Sequence, residues 1–290
     1  MPDKKRILIQ LDSDPHPSVF DRVVAVDAGA EHVFAYGGVQ PSAVRDLIYG
    51  AIFTRGVPDL KSTAVFVGGS NVALGEEILA SVRKSFFGPL RVSILLDSSG
   101  ANTTAAAAVV VAGRHIALKG ARALVLGSSG PVGRRVARLL ARCGATVTVG
   151  SRSLERAAEV AESVRAQVDG AKTIPVATGE SGQLAQALSE AVIVVAAGGP
   201  GACLLPRSVR VAAKSVRVVV DLNAVPPEGI EGVKGTDAGA DRDGHIAYGA
   251  IGVGGLKMKI HKAAISRLFE ANDLILDVEQ ALEIGLSLKA

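Results

Sequence analysis

The chain has 290 residues, of which 48% are hydrophobic and 21% are charged. That length suggests two domains, and that composition excludes a disordered protein. The formal net charge of +4 favours anionic ligands, but the basic residues are spread along the chain and only 3% of residues are aromatic. Nucleic-acid binding is therefore not expected.

The cysteine content and the hydropathy pattern argue against a disulfide-rich, zinc-binding, secreted or membrane-spanning protein. Cys143 and Cys203 are the two cysteines, too few for a disulfide framework or a cysteine-based zinc site, so no metal is expected. The amino-terminal segment reaches carboxylates after a few apolar residues, unlike a signal peptide, and no apolar run attains the ~18 residues of a membrane span. We expect a cytoplasmic protein that has no membrane partner.

In the first half of the chain, short β-branched runs alternate with amphipathic patterns, as is typical of parallel α/β folds. Ser18 is a predicted N-cap, and the helix after it is expected to turn Val19, Phe20, Val23 and Val24 inward. The other predicted elements are the strands Arg6–Leu11, His32–Ala35, Thr63–Val67 and Leu90–Leu96, and helices at 44–52 and from Asn71 to about Phe86.

A polar loop, Asp97–Thr104, follows the strand at 90–96 and precedes an alanine-rich helix, Ala105–Gly113. Open α/β sheets bind ligands beyond the carboxyl ends of their strands, so this loop is a candidate site. The alternative is an ordinary loop in which Asp97 caps the following helix.

The second half predicts a βαβαβ core with additions. Its predicted strands are Ala123–Leu126, Ala145–Val149, Thr173–Val176, Val192–Ala196 and Val216–Val220. One predicted helix follows the first strand and ends near Cys143, and two others span Ser153–Val168 and Gly182–Ala191. A final helix, Leu256–Phe269, is placed to pack back on the first domain.

A glycine-rich turn in the second half has the context of a dinucleotide fingerprint, because a predicted strand precedes it and a predicted helix follows it. Gly127 permits the sharp turn, Gly130 lets the backbone approach a pyrophosphate, and Gly133 allows close packing of helix on strand. Free N–H groups at the helix start bind the anion. The alternative is a turn that binds no nucleotide. The predicted cofactor residues here are Gly127, Ser128, Ser129, Gly130, Pro131, Val132 and Gly133.

The end of the next strand indicates NADP. An NAD enzyme would place Asp or Glu there to hold the ribose hydroxyls, whereas this chain has Ser151, Arg152 and Ser153, with Arg156 one turn later. A guanidinium binds a 2′-phosphate bidentately, and both serines can donate further hydrogen bonds. The alternative for Arg152 is a solvated surface charge.

Together these patterns predict an α/β fold with two domains and a cleft between them. Residues 1–112 plus 256–290 form an N-terminal parallel α/β substrate domain with a returning C-terminal helix. Residues 113–255 form a Rossmann-type NADP-binding domain.

Hydrolase and acid–base templates fit poorly. The chain has no G-x-S-x-G or H-E-x-x-H motif, and its five histidines are scattered. His261, on the final helix, is more typical of a half-buried packing residue than of a base. Oxidation of an alcohol needs a general base, whereas a reaction that moves hydride alone does not.

Several longer segments are similar to one enzyme family. They are DSDPHPSVFD at 12–21, AIFTRG at 51–56, FVGG at 66–69, FFGPLRV at 86–92, LDSSGANTTAAA at 96–107, GSSGPVGRR at 127–135, LNAVPPEGIEG at 222–232 and GAIGVGGLKMKIHKAAISRLFE at 249–270. Together they resemble the NADP-dependent methylene-tetrahydromethanopterin dehydrogenases of methylotrophic bacteria. The resemblance implies oxidation of methylene-tetrahydromethanopterin by NADP⁺ to the methenyl cation and NADPH, within one-carbon metabolism.

The related folate dehydrogenase/cyclohydrolases activate water with a Tyr-x-x-x-Lys pair. Here the residues four positions after Tyr36, Tyr49 and Tyr248 are glutamine, phenylalanine and glycine, so cyclohydrolase activity by that mechanism is not expected.

The resemblance also implies roles for individual residues. Lys257 is expected to position the pterin, with Lys259 as second choice, after a loop at 252–256 that borders the nicotinamide. Asp97 holds the pterin's guanidine-like nitrogens or caps the next helix. The remaining expected substrate residues are Asp14, His16, Ser18, Phe20, Asn102 and Thr103, and the remaining cofactor residues are Ala196, Ala197, Gly198, Asn223, Gly252 and Gly254.

Alternative functions stay open at this point. The chain is also compatible with a methylenetetrahydrofolate dehydrogenase and with a non-catalytic NADPH-binding regulator. A shikimate-type enzyme needs a Lys–Asp pair that the first domain matches poorly. Apolar helices with few aromatic residues favour a homo-oligomer.

Overall fold

The structure is a computed structural model that describes residues 4–179 and 181–288. Residues 1–3, 180, 289 and 290, all of which fall in the predicted domain ranges, lie outside the described residues. The chain divides into two compact units: the first contains the residues up to Thr103 and those from Met258 on, and the second contains Thr104–Lys257.

Strands and helices alternate along most of the chain. The strands are β1 (Ile7–Asp12), β2 (His32–Tyr36), β3 (Thr63–Gly68), β4 (Ser93–Leu96), β5 (Arg122–Leu126), β6 (Thr146–Ser151), β7 (Lys172–Ala177), β8 (Ile193–Ala196), β9 (Val218–Asp221), β10 (Ala238–Arg242), β11 (His245–Tyr248) and β12 (Ile275–Leu276). The α-helices are α1 (Val19–Asp27), α2 (Val44–Ile52), α3 (Val72–Lys84), α4 (Ala101–Gly113), α5 (Pro131–Arg142), α6 (Leu154–Gln167), α7 (Ser181–Ser189), α8 (Arg207–Ala212), α9 (Ala250–Arg267) and α10 (Val278–Ser287). Short 3₁₀ segments span Pro41–Ala43, Val57–Ser62 and Ser98–Gly100.

The first unit is built on a parallel sheet with the strand order β12-β4-β3-β1-β2. Ile9 and Leu11 of β1 pack against Ile48 of α2 and Ile78 of α3 in one buried cluster. The chain passes from β1 to β2 on one side and then to β3 on the other. The strand order therefore reverses between β1 and β3.

The second unit is built on a sheet with the order β10-β11-β9-β8-β5-β6-β7, in which only the β10–β11 pairing is antiparallel among the described strands. Numbered from β5, its parallel strands have the order 3-2-1-4-5-6 of the doubly wound dinucleotide-binding fold. The order reverses between β5 and β8. The structure thus confirms the predicted α/β class and its Rossmann-type half.

Side-chain caps explain where several helices begin. Asn71 accepts a hydrogen bond from the Leu74 N–H at the start of α3, and Ser153 does the same for Arg156 in α6. Asp277 and Gln280 form a reciprocal capping box at the start of α10. These ends follow from local sequence.

The predicted inward face of α1 is wrong. Val24 is only 3% exposed, but Val19, Phe20 and Val23 are each more than half exposed. The helix is apolar on most of its circumference, so periodicity did not define one buried face. Packing on the sheet selects Val24 together with Ala25 and leaves the other side open.

Several predicted boundaries are wrong by two residues or more. β4 begins at Ser93 rather than Leu90, and α3 ends at Lys84 rather than near Phe86. α4 begins at Ala101, so the carboxyl half of the predicted polar loop is helical. α9 begins at Ala250, so the predicted loop at 252–256 is helical too. Both helices begin with a polar or glycine-rich segment, and such a composition is also typical of loops.

The elements that the sequence patterns missed are short or lie at the edges of the sheets. They are α8, the β10–β11 hairpin, β12 and α10. Among the described residues, no helix has the length and apolar character needed to cross a bilayer.

Candidate active site

The glycine-rich turn between β5 and α5 is shaped by close backbone contacts. Gly127 has φ +68°, and a Cβ there would lie 2.7 Å from the Gly198 nitrogen. A Cβ on Gly133 would lie 2.6 Å from the Gly127 carbonyl oxygen. At Gly130, by contrast, the nearest atoms would be 3.6 Å away. The fold itself therefore requires glycine at 127 and 133, whereas Gly130 leaves room for a ligand's approach.

The neighbours of these glycines in the turn have internal roles. Ser128 is fully buried, and its hydroxyl donates to the Gly150 carbonyl at 2.9 Å, which ties the turn to β6. Pro131 and Val132 form the first turn of α5, where Pro131 stands at the helix start. Ala196 is a fully buried residue of β8.

A cavity of about 640 Å³ lies at the carboxyl ends of β5, β6 and β8, within the second unit. It adjoins the point between β5 and β8 where the strand order reverses, the position at which doubly wound sheets bind dinucleotides. The predicted cofactor residues that line it are Gly127, Ser129, Gly130, Ser151, Arg152, Ser153, Arg156, Ala197 and Gly198.

Two arginines give this cavity its charge. Arg152 and Arg156 are both exposed where they line it, and no acidic side chain among the described residues pairs with either guanidinium. Ser151, at the end of β6, is buried, and Ser153 caps α6. The cavity therefore combines backbone turns with unneutralised positive charge, which suits a phosphate-bearing ligand.

Sequence patterns missed part of the cavity wall. The additional lining residues are Thr178, Gly199, Pro200, Ala202 and Leu204. Thr178 reaches it because its N–H donates to the Ser151 carbonyl at 2.7 Å. For the other four lining residues, the only indication in the sequence is the run of glycines after the predicted strand that ends at Ala196.

Eight predicted cofactor residues do not line the cavity, namely Ser128, Pro131, Val132, Gly133 and Ala196, whose places are given above, and Asn223, Gly252 and Gly254. Asn223 lies in the turn after β9, where its amide donates to the Pro227 carbonyl at 2.8 Å. Gly252 is in α9, and a Cβ there would lie 1.8 Å from the Asp237 carbonyl oxygen, which explains the glycine by packing. Gly254, in the same helix, has open space around it.

Asp221 organises the turn that contains Asn223. Its carboxylate accepts the N–H groups of Asn223 at 3.0 Å and Ile230 at 2.9 Å. Burial nevertheless raises the pKa of Asp221 above its ordinary value, because desolvation outweighs these bonds.

In the first unit, the residues expected from the polar loop are turned inward. Asp97 is 2% exposed and accepts the N–H groups of Asn102 and Thr103, each at 3.0 Å, as well as the Thr103 hydroxyl at 2.6 Å. Asn102 also donates to the Leu96 carbonyl and to Asp277. Of the two roles left open for Asp97, the geometry displays helix capping.

The residues predicted around the first turn are nearer to solvent. Asp14 is half-buried, His16 is exposed, and Phe20 is 51% exposed. Ser18 caps α1 by accepting the Asp21 N–H at 3.2 Å. Asp14 and Ser18 belong to one ordered turn after β1, whereas His16 and Phe20 project from it.

The two predicted substrate lysines and His261 lie on α9. Lys257 is half-buried and Lys259 is exposed. His261 is fully buried, with its ring centroid 5.6 Å from that of Phe66 and its Nδ1 atom 3.9 Å from an Asp97 oxygen. The expectation that His261 is half-buried is wrong, but its packing role agrees with these contacts.

Two family models match the chain. The model described as methylene-tetrahydromethanopterin dehydrogenase, N-terminal, matches residues 19–99, in the first unit. The model described as saccharopine dehydrogenase NADP binding domain matches residues 123–224, in the second unit.

Two curated relatives from Methylorubrum extorquens match nearly the full length. The one named bifunctional protein MdtA is 44% identical over 97% of this chain and 98% of its own length. The one named NAD(P)-dependent methylenetetrahydromethanopterin dehydrogenase is 31% identical over 98% of this chain and 99% of its own.

Solved structures share the fold at lower identity. Shikimate 5-dehydrogenase from Listeria monocytogenes superposes with a TM-score of 0.55 at 15% identity, covering 96% of this chain and 94% of the other. At that identity the likeness supports the architecture alone.

Proposed function

Because the chain belongs to the methylene-tetrahydromethanopterin dehydrogenase family, we propose that it catalyses reversible hydride transfer from methylene-tetrahydromethanopterin to NADP⁺ in one-carbon metabolism. The products are methenyl-tetrahydromethanopterin and NADPH. The observation that carries this proposal is that similarity to the curated relatives extends through both units rather than through the dinucleotide-binding half alone.

The second unit fits NADP. When bound, NADP⁺ supplies the carbon that accepts the hydride. Gly130 leaves space for the approach of a pyrophosphate to the start of α5, whose free N–H groups favour an anion. Arg152 and Arg156 lie on the same cavity without acidic partners and would bind the 2′-phosphate.

The proposed reaction needs no general base. Removing hydride from a methylene carbon between two nitrogens leaves a cation that both nitrogens stabilise, and no proton moves. The residues therefore have to orient the two rings and exclude water. Tyr248, one of the three tyrosines considered for a cyclohydrolase pair, instead hydrogen-bonds to the His115 ring at 2.8 Å in the second unit.

Lys257 is the proposed pterin-positioning residue. It is half-buried on α9, so its side chain has less freedom than that of exposed Lys259. An ammonium group presents three hydrogen-bond donors to the carbonyl and ring nitrogens of a reduced pterin. Its role is orientation of the substrate rather than proton transfer.

The comparisons do not favour the alternatives. A pure methylenetetrahydrofolate dehydrogenase and a non-catalytic NADPH-binding regulator both lack a counterpart among the curated relatives described above. Activity with the folate analogue as a second substrate is tested by the assay below.

We also propose a homo-oligomer in the cytoplasm. The apolar side of α1 supports the oligomer, because Val19, Val23 and Val26 are each more than half exposed. The two cysteines are unpaired in the structure, in agreement with a reducing compartment. Sedimentation of wild type and Val23→Glu tests the oligomer: a monomeric wild type would refute it.

The decisive experiment follows absorbance at the NADPH band with methylene-tetrahydromethanopterin or methylene-tetrahydrofolate, each with NADP⁺ and NAD⁺. We expect the highest kcat/KM for the methanopterin with NADP⁺. Turnover of the folate alone would overturn the substrate assignment and keep the reaction. NADPH binding without any turnover would favour the regulator.

A further inference from the structure

The strand order of the first unit marks the place at which open α/β sheets bind ligands. The order reverses between β1 and β3, because the chain leaves β1 toward β2 on one side and returns to β3 on the other. In open α/β sheets, loops that diverge at such a point leave a crevice beyond the carboxyl ends of the two strands, and ligands bind there.

Asp14 and Ser70 stand at this point. Asp14 lies in the turn after β1, and Ser70 lies in the turn after β3. One Asp14 oxygen accepts the Ser70 N–H at 2.9 Å, and the other accepts the Ser70 hydroxyl at 2.8 Å. The carboxylate is thereby fixed in orientation across the two turns.

The turn that carries Asp14 is itself held by a buried carboxylate. Asp12 is fully buried, and its two oxygens accept the N–H groups of Asp14 at 2.9 Å and Ser18 at 3.0 Å. Beside it, Gly69 has φ +91°, and a Cβ there would lie 2.0 Å from the Ser13 hydroxyl oxygen. These contacts leave the turn little room to rearrange, so the site is preorganised.

Asp14 has no counter-ion among the described residues and keeps part of its hydrogen-bonding capacity. Within residues 4–179 and 181–288, no basic side chain forms an ion pair with it. A carboxylate offers about four acceptor positions, and Ser70 occupies two. Asp14 is half-buried, whereas Asp12 and Asp97 are closed off inside the unit.

We propose that Asp14 binds the pyrimidinone edge of the pterin, accepting hydrogen bonds from the ring N3–H and the 2-amino group, and that Ser70 is its positioning residue. This inference rests on the proposed function. Two adjacent N–H donors in one plane match the two oxygens of a carboxylate, the arrangement seen in bidentate guanidinium–carboxylate pairs. The role expected for Asp97 thus passes to Asp14.

The first test compares Asp14→Asn with Asp46→Asn, which removes the same charge from an exposed residue of α2 in the same unit. An asparagine keeps one acceptor and turns a donor toward the pterin's own donors. We expect the KM for the pterin to rise about 10- to 100-fold in Asp14→Asn, with the Kd for NADP⁺ and the Tm unchanged. Asp46→Asn should match wild type.

The second test addresses Ser70. Ser70→Ala removes the hydroxyl donor but keeps the N–H bond to Asp14, so the pterin KM should rise about 3- to 10-fold at unchanged kcat. Ser70→Thr keeps the hydroxyl and should restore the wild-type KM. A merely structural role would instead lower the Tm and affect NADP⁺ binding equally.

The outcomes separate this inference from the function on which it rests. If wild type oxidises either pterin and Asp14→Asn retains its KM within twofold, the inference is refuted and the function stands. A loss of NADP⁺ affinity or several degrees of Tm in Asp14→Asn would also refute it. If wild type oxidises neither pterin, the proposed function fails and the inference fails with it.

Discussion

Both units carry their polar groups where parallel strands end, but they use different chemistry there. In the second unit, the turns after β5 and β8 offer backbone N–H groups and glycines, and charge comes from Arg152 and Arg156. In the first unit, the turns after β1, β3 and β4 are held by the carboxylates of Asp12, Asp14 and Asp97. One edge suits an anion, and the other suits neutral N–H donors.

The difference teaches how a ligand site is to be recognised in each unit. A backbone site depends on glycines at fixed positions, so it is visible in a short motif. A carboxylate site depends on which of several acids remains available after the turns have formed. The carboxylates of Asp12 and Asp97 are occupied by hydrogen bonds within their own turns, to the N–H groups of Ser18 and Thr103 respectively, and the structure shows which acids are occupied in this way.

The largest effect is expected from Gly127→Ala, which would disrupt the glycine-rich backbone turn of the second unit's cavity. The Cβ would lie 2.7 Å from the Gly198 nitrogen at φ +68°, so both the turn and the cavity wall must shift. We expect NADP⁺ affinity to fall at least about 100-fold and stability to fall by about 2–5 kcal/mol. Calorimetric titration and urea unfolding measure the two.

Gly170→Ala is the matched control, because its φ of +71° is close to that of Gly127 but no atom lies within 4 Å of the added Cβ. The variant should lose only about 1–2 kcal/mol of stability, because an alanine is strained in the left-handed conformation, and its NADP⁺ affinity should equal that of wild type. Equal losses of binding in both variants would contradict the steric argument.

Next in size is Arg152→Ala, which removes charge from the anion-binding edge but keeps its backbone. The Kd for NADP⁺ should rise about 10- to 100-fold, since a charge-assisted contact to the 2′-phosphate is lost, whereas the Kd for NAD⁺ should hardly change. The ratio of the two constants is the measurement. A parallel rise in both would show that Arg152 does not bind the 2′-phosphate.

A smaller effect is expected from Lys257→Ala. The pterin KM should rise about tenfold while NADP⁺ affinity stays near wild type, because one hydrogen-bonding cation is lost from the substrate. Lys259→Ala, two residues on and exposed, provides the comparison in the same kinetic assay. A larger effect at Lys259 would move the role to that residue, and no effect at either would remove it.

The smallest effect is expected at Asp243, an acid of the second unit that is paired with arginines, whereas Asp14 in the first unit has no such partner among the described residues. The guanidinium groups of Arg207 and Arg210 hold the pKa of Asp243 well below its usual range. A lowered folded-state pKa stabilises the fold above the unfolded pKa of about 3.9, and this contribution is lost as the pH falls below it.

Asp243→Asn tests this, since Asp243 has φ +56° and asparagine tolerates that conformation. The variant should be less stable than wild type in urea at pH 7, and the gap should narrow between pH 4 and pH 3. A gap that is constant over this range would contradict the charge argument.

Local sequence predicts much of the lining of the second unit's cavity because its signals are short-range. A short apolar strand, a turn with glycines at 127, 130 and 133, and Arg152 at the end of the next strand all lie within about 30 residues. The glycines at 252 and 254 do not line this cavity, because the glycine-rich segment belongs to the start of α9, and Gly252 is explained by its approach to Asp237.

The sequence by itself determined the α/β class, the dinucleotide turn, the charge of its ligand and the family, because each depends on residue types at short spacing. Tertiary structure decided which side of α1 is buried and that Asp14 meets Ser70 across 56 positions of sequence. These outcomes depend on the order of the strands in the sheet, which brings distant turns together and which no local pattern encodes.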